Sequence, residues 1–378
     1  MYLVESKSGA IGCMVVALVF LGTWPALLAQ LERRGRLPQH TYLDYSFTNF
    51  LTAVVIAFTL GQIGHASPNT PNFFTQLSQE NWGCVLMAMA GGVFLGLGNL
   101  ATQYAWPFVG LSVTEVITSS LAVVLAVHSS NDADNAAKLQ QLSDKHTDGA
   151  REVVVDAPDT HQDKDRLKDM EHGSSEEGKA ATGSAQHLIE LEHNRAIKVF
   201  GKSIWIGLSI TFFAGACYAL FSPAFNLATN DQWHVMRGGV PHLVVYTAFF
   251  YFSLSFFVVV SVINIILLYR PILKLPRSSI ASYLKDGDGR GLAFLAGLLC
   301  GLGNGLQFVG GQAAGYAAAD CVQALPLVST FWGVVLFGEY WRSSPRTYAL
   351  LVSMLLMFIV AVTVLIASSG HRRTSYSH

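Results

Sequence analysis

Two acidic residues stand inside otherwise apolar runs: Glu115, between Thr114 and Thr118 in GLSVTEVITSS, and Asp320, in GYAAADCVQALP. An ionised carboxylate inside lipid costs at least ~2.5–3.5 kcal/mol, so such a residue is by default a functional-site candidate. Two readings are open. Either carboxyl carries a coupling proton or accepts a donor from a bound molecule, or it is tied to a neighbouring helix and fixes the packing. Amides crowd the same runs: Asn99, Gln103, Asn304, Gln307, Gln312 and Gln323. Asn99 and Asn304 are 205 positions apart, as are Glu115 and Asp320. Intramembrane amides also serve as plain interhelical bonds, worth about 0.6 kcal/mol each. Tyr104, Trp106, Tyr316 and Trp332 offer aromatic faces, although rings near span ends also anchor at the lipid interface.

A second pattern points elsewhere. AIKVFGKS resembles a phosphate loop, with Ala196, Gly201, Lys202 and Ser203 at its key positions. A working phosphate loop joins a strand to a soluble helix, and its backbone N–H groups close around the phosphates. Here Ala196 replaces the first glycine, no strand-like run precedes it, and Ser203 opens an apolar run. In the plainer reading Lys198 and Lys202 mark a membrane edge and reach for lipid phosphates, while Gly201 eases entry into the span. ATP binding is not expected.

The elements that carry these residues follow from composition. The chain has 378 residues, 51% hydrophobic and only 13% charged, with mean hydropathy +0.39. About half of the charged residues fall between Asn131 and Lys202. A soluble protein of this length needs more charge to cover its surface. The fold class is therefore an all-α polytopic membrane protein. A net charge of -1 gives no electrostatic case for nucleic acid. The five cysteines, Cys13, Cys84, Cys217, Cys300 and Cys321, lie in apolar runs without paired spacing, so neither a disulfide framework nor a metal site is expected. The first apolar run is too long for a signal-peptide core and reads as a retained span.

Nine stretches approach the ~20 apolar residues that cross a bilayer: 9–30, 44–64, 82–104, 107–127, 203–226, 242–269, 291–309, 312–338 and 346–369. Very short links are expected at Trp106-Pro107 and Gly310-Gly311. Pro25, Pro223 and Pro326 are expected to interrupt helices, and the glycines to permit close helix contact. Residues 128–201 are polar and read as a largely disordered loop, between a first membrane half (1–127) and a second (202–370); 371–378 form a polar tail. Glu339 with Arg342 reads as a surface pair.

An internal repeat relates the halves. GLGNLATQYAWPFVGLSVTEV from Gly96 matches GLGNGLQFVGGQAAGYAAADCV from Gly301, and TWPA at 23–26 pairs with FSPA at 221–224. Two halves on one plan are a mark of secondary transporters. After Asp320 the second half continues through two full spans, whereas after Glu115 the first half stops being apolar at Val127. The first half is short by one helix, about 35–40 residues on this comparison. Charge placement finds the same gap. The Lys- and Arg-rich links at 31–36, 195–202 and 270–290 all read as cytoplasmic, yet only three spans separate the first two.

AIGCMVVALVFLGTWPAL, RRGRLPQHTYLDY, GLSVTEVITSS, FSPAFNLATNDQW and GGQAAGYAAADCVQALPLVSTFWGVVLFGEY closely resemble the plant ureide permease family. The resemblance implies ten spans in two halves, as in the drug/metabolite transporter superfamily. It also implies proton-coupled transport of allantoin and related oxo-heterocycles such as uracil, across the plasma membrane. Protons are then the only coupling agent and no further cofactor is expected. A small neutral ring with C=O and N–H groups calls for amides, hydroxyls and an aromatic face, a demand that Asn99, Gln103, Asn304, Gln307, Gln312, Gln323 and Trp332 meet, beside Glu115 and Asp320. The departure near 120–130 supports an alternative: a shortened, non-transporting form that pairs with a full-length permease, or is inactive. A homo-oligomer is the other assembly left open.

Overall fold

A computed structural model describes residues 4, 6–63, 71–124, 195, 197, 203–231, 241–314, 322, 324–341 and 345–371. Its described residues form helices and connecting turns. They are α1 (Lys7–Arg33), α2 (Pro38–Phe58), α3 (Phe73–Leu77), α4 (Trp82–Val109), α5 (Leu111–Val124), α6 (Ile204–Thr229), α7 (Val245–Tyr269), α8 (Ile280–Lys285), α9 (Arg290–Ala314), α10 (Pro326–Phe337) and α11 (Pro345–His371). Five of them, α1, α4, α6, α7 and α9, are long and apolar enough to cross a membrane. The chain is an integral, multi-pass membrane protein. Of the other expected spans, α5, α10 and α11 carry shorter apolar stretches, and α2 has 21 residues but buries Gln39, His40, Asp44 and Asn49. The 128–201 loop falls almost wholly outside the described residues.

Several expected boundaries move. The first short link is not at Trp106-Pro107, because α4 runs on through Pro107 and turns only at Gly110. Proline removes one helical hydrogen bond, whereas the turn itself needs the φ of 86° that Gly110 adopts. Likewise α9 continues through Gly310-Gly311 to Ala314, since glycine costs a helix only about 1 kcal/mol. Pro25 and Pro223 lie within continuous helices, and Pro326 opens α10 in its first turn, where a missing N–H costs nothing.

The two sequence halves interlock. The third long helix of the first half, α4, packs most extensively on α6 and α7 of the second. Its repeat counterpart α9 packs on α1 and α2, and α2 meets α7 between them. Each third helix is thus clasped by the first two helices of the opposite half. Small residues make this possible. Gly92 and Gly96 of α4 lie against Phe252 and Phe256 of α7, while Gly297 and Gly301 of α9 lie against Tyr45 to Thr52 of α2. A Cβ on Gly92 would strike the Phe252 carbonyl, and one on Gly297 the Tyr45 carbonyl. These are small-xxx-small contacts of the kind that let helix backbones approach in lipid, repeated at the 205 offset.

Candidate functional site

Where the halves interlock, a cavity of about 50 Å³ remains. Leu21 and Trp24 of α1, Leu95 and Asn99 of α4, and Glu115 and Ser119 of α5 line it from the first half. Tyr218 and Phe221 of α6, then Cys300, Asn304 and Gln307 of α9, line it from the second, with Val322 and Leu325 just before α10. Leu95 and Cys300 are repeat equivalents, as are Asn99 and Asn304, so the cavity lies on the pseudo-symmetry axis of the repeat.

A chain of hydrogen bonds crosses this axis. The Tyr218 hydroxyl donates to Asn99 Oδ1 at 2.7 Å, and Asn99 Nδ2 donates to the Tyr45 hydroxyl at 2.9 Å. Tyr45 in turn donates to Cys300 Sγ at 2.9 Å, which also accepts from Asn304 Nδ2 at 3.3 Å. Four helices, two from each half, are joined by side chains that are all donors or acceptors of neutral groups. Glu115 is buried and its Oε1 accepts from Trp106 Nε1 at 3.1 Å. Trp106 leans on Trp24 (ring centroids 6.0 Å apart), and Trp24 stacks on Tyr45 at 5.0 Å, which makes one aromatic wall. From Phe221 on the cavity wall, Phe225, Phe249, Phe252 and Phe308 pack onward, with Phe225 and Phe308 stacked at 3.7 Å.

Polar bonds close the other end. Arg36 Nη2 donates to Asp44 Oδ2 at 2.6 Å, and Arg290 Nε donates to the same oxygen at 3.3 Å. Tyr283 donates to Asp44 Oδ1 at 2.7 Å, and His40 lies between Asp286 (2.6 Å) and Ser278 (2.7 Å). Next to this lattice Glu32 accepts from Arg195 and from the Ile197 N–H. The basic link at 31–36 and the 270–290 link, read separately as lying on one side, therefore meet at one end of the bundle.

Against the expected site, the structure brings Asn99, Glu115, Asn304 and Gln307 together around the cavity. It places three others elsewhere. Gln103 is buried, but its Nε2 donates to the Pro38 carbonyl at 3.1 Å, at the start of α2. Gln312 is exposed. Trp332 is half-buried and donates to Thr23 Oγ1 at 3.0 Å. Asp320, Gln323 and Tyr316 lie outside the described residues, as do Ala196, Gly201 and Lys202. Ser203, the last position of the phosphate-loop pattern, caps α6 by accepting from the Trp205 N–H. Glu339 is no surface member of a pair with Arg342, which lies outside the described residues. Only 14% of its side chain is exposed, because it accepts from the N-terminus of α5.

The family model for ureide permeases matches residues 41–127 and 125–368. Ureide permease 1 of Arabidopsis thaliana is 61% identical over 406 residues, covering 99% of this chain and 100% of the relative. The chain belongs to the ureide permease family. Ureide permease 2 of the same plant is 59% identical over the same shares, and Probable ureide permease A3 of Vigna unguiculata is 55% identical over 92% of this chain and 100% of its own length. No solved structure matches. The aligned length of 406 exceeds the 378 residues here by 28, so these ureide permeases carry positions with no counterpart in this chain. The two matched segments meet at 125–127, where the repeat comparison locates the missing helix.

Trp24, Tyr218 and Cys300 belong to this ureide permease cavity but were not singled out. A signal for the first existed: TWPA and FSPA mark equivalent points on α1 and α6, and Trp24 and Phe221 beside the two prolines both face the cavity. Tyr218 carries the first testable expectation. Its replacement by Phe leaves Asn99 Oδ1 buried without its donor, at a cost of about 1–3 kcal/mol. The purified Tyr218→Phe protein should melt several degrees below the parent. Equal melting would show that Asn99 is held by its other bonds.

Proposed function

We propose that this chain is a proton-coupled carrier of ureides such as allantoin, and of related oxo-heterocycles such as uracil, at the plasma membrane. The relatives' names supply the substrate class, and one observation supports the mechanism. A buried carboxylate and a set of neutral donors and acceptors line a cavity contributed by both halves, which is where alternating access between repeats needs its site. Amides and hydroxyls match a neutral ring bearing C=O and N–H groups, and the Trp24 wall provides a stacking face. A volume of about 50 Å³ holds one or two water molecules. That is smaller than a heterocyclic substrate, so the carrier reading needs the cavity to widen during transport. The basic links place the polar lattice on the cytoplasmic side and the phenylalanine cluster on the other.

A second reading rests on the missing helix: a form that does not transport and pairs with a full-length permease. An apolar groove favours it, lined by Val113, Val116 and Ile117 of α5 with Leu350, Leu351 and Met354 of α11. Radiolabelled allantoin uptake across a pH gradient separates the two, in cells lacking their own permease, with surface expression checked. The comparison is between this chain and a version carrying the missing span. Uptake by this chain supports the carrier; uptake only by the restored version supports the second reading.

A further inference from the structure

Helix α5 is short, carries both Glu115 and Ser119 into the cavity, and hangs from α4 by the single turn at Gly110. What caps that attached end comes from the other half. Glu339, in the turn that ends α10, accepts from the Leu111 N–H at 2.9 Å through Oε1. Through Oε2 it accepts from the Ser112 N–H at 3.1 Å and from Ser112 Oγ. These are orphan donors of the first helical turn, and a carboxylate there also meets the positive end of the helix dipole. The fit is close on every side. A Cβ at Gly110 would come within 3.1 Å of Glu339 Oε1, and one at Gly333 of α10 would touch both Ser112 Oγ and Glu339 Oε2. Arg33 approaches Glu339 Oε1 at 3.7 Å while its guanidinium lies 4.1 Å over the Phe337 ring. Glu339 itself is aimed by the left-handed Gly338 and by its own N–H bond to the Gly333 carbonyl.

We propose that Glu339 is a positioning residue for the transport site. From the second half it clamps the start of α5, sets Glu115 one turn further on against Trp106 and the cavity, and lets go when the halves move apart. The clamp links the movement of α10 to the placement of the coupling carboxylate. This rests on the reading of Glu115 as the coupling group.

Uptake by Glu339→Asp, Glu339→Gln and Glu339→Ala at equal surface expression tests the role. The maximal rate should fall about tenfold in Gln and Ala, the scale of a lost charged cap. Half-saturation should stay within about twofold of the parent, since no ligand contact is removed, and Asp should recover part of the rate. Parent-like rates in Gln and Ala would overturn the role. If these variants fail to reach the surface, the contact is read on protein purified from internal membranes: amide exchange over residues 111–116 should quicken in Glu339→Gln, and unchanged exchange overturns the clamp. If the parent chain itself does not transport, the proposed function fails but the clamp does not. Amide hydrogen exchange over residues 111–116 should still quicken about tenfold in Glu339→Gln, and unchanged exchange overturns it.

Discussion

Uptake by the Glu115→Gln protein is expected to lose its dependence on the pH gradient. Glutamine keeps the shape of Glu115 and an oxygen that accepts from Trp106, so the 3.1 Å bond and the packing of α5 survive. What it removes is the group able to take up and release a proton. One proton moved per substrate ties accumulation to the gradient by about tenfold per pH unit, and this factor should vanish. Downhill exchange of labelled for unlabelled substrate should persist, because Asn99, Asn304, Tyr218 and Trp24 are untouched. Retention of gradient-driven accumulation by Glu115→Gln would end the coupling role of this carboxyl. Loss of exchange as well would instead make Glu115 a substrate ligand, the second role within its functional reading. Trp106→Phe supplies the intermediate case, with the carboxylate present but without its donor.

The parts legible in sequence are those that repeat. The 205 offset aligned Asn99 with Asn304, and the structure places both on one cavity; the same offset carries Gly92 and Gly96 onto Gly297 and Gly301 and builds two matching helix contacts. Phase along the helix explains the misplaced amides. Gln312 is five residues beyond Gln307, about 140° round a helix of 3.6 residues per turn, and so turns away from the cavity. Gln103 keeps the face of Asn99 but sits a turn further along, level with the start of α2. Tyr218 and Tyr45 could not be read, because their value lies in partners across the halves. The same is true of Glu339. Local sequence shows an acidic residue after a helix, and only the interlocked fold brings the α5 N-terminus to it. Asp44 and Arg36 were missed for a related reason: charges beside a loop read as solvated until the other half covers them.

That buried lattice yields the largest expected loss of stability. Asp44 and Arg36 have side chains only 1% and 3% exposed, and Asp44 also accepts from Arg290 and Tyr283. In Asp44→Ala the Arg36 charge is left buried with its chief partner gone, at a cost of about 3–5 kcal/mol. Thermal unfolding of the purified protein should fall accordingly. An Arg36→Met/Asp44→Leu protein removes both charges, and a pair replaced by well-packed apolar groups is often neutral. It should therefore melt well above Asp44→Ala; equal melting would show that shape, not charge pairing, holds this end. Two groups of this lattice outside the spans, Asp286 and Tyr283, have a defined pH dependence. Burial pushes the Asp286 carboxyl up, but the hydrogen bond from His40 and the Arg36 charge outweigh it and hold the group below its ordinary 3.8. Its contribution is present above that value and lost as pH falls beneath it. Burial, with donation to Asp44, pushes the Tyr283 phenol from 10.0 up to about 12, so its share is present at neutral pH and fades as pH climbs past 10. The shares of Asp286 and Tyr283 are therefore constant across the physiological range. On the coupling reading proposed for Glu115, a proton gradient near neutrality would leave the Asp286 and Tyr283 contacts in place, and this end of the bundle would open by the movement of the halves themselves.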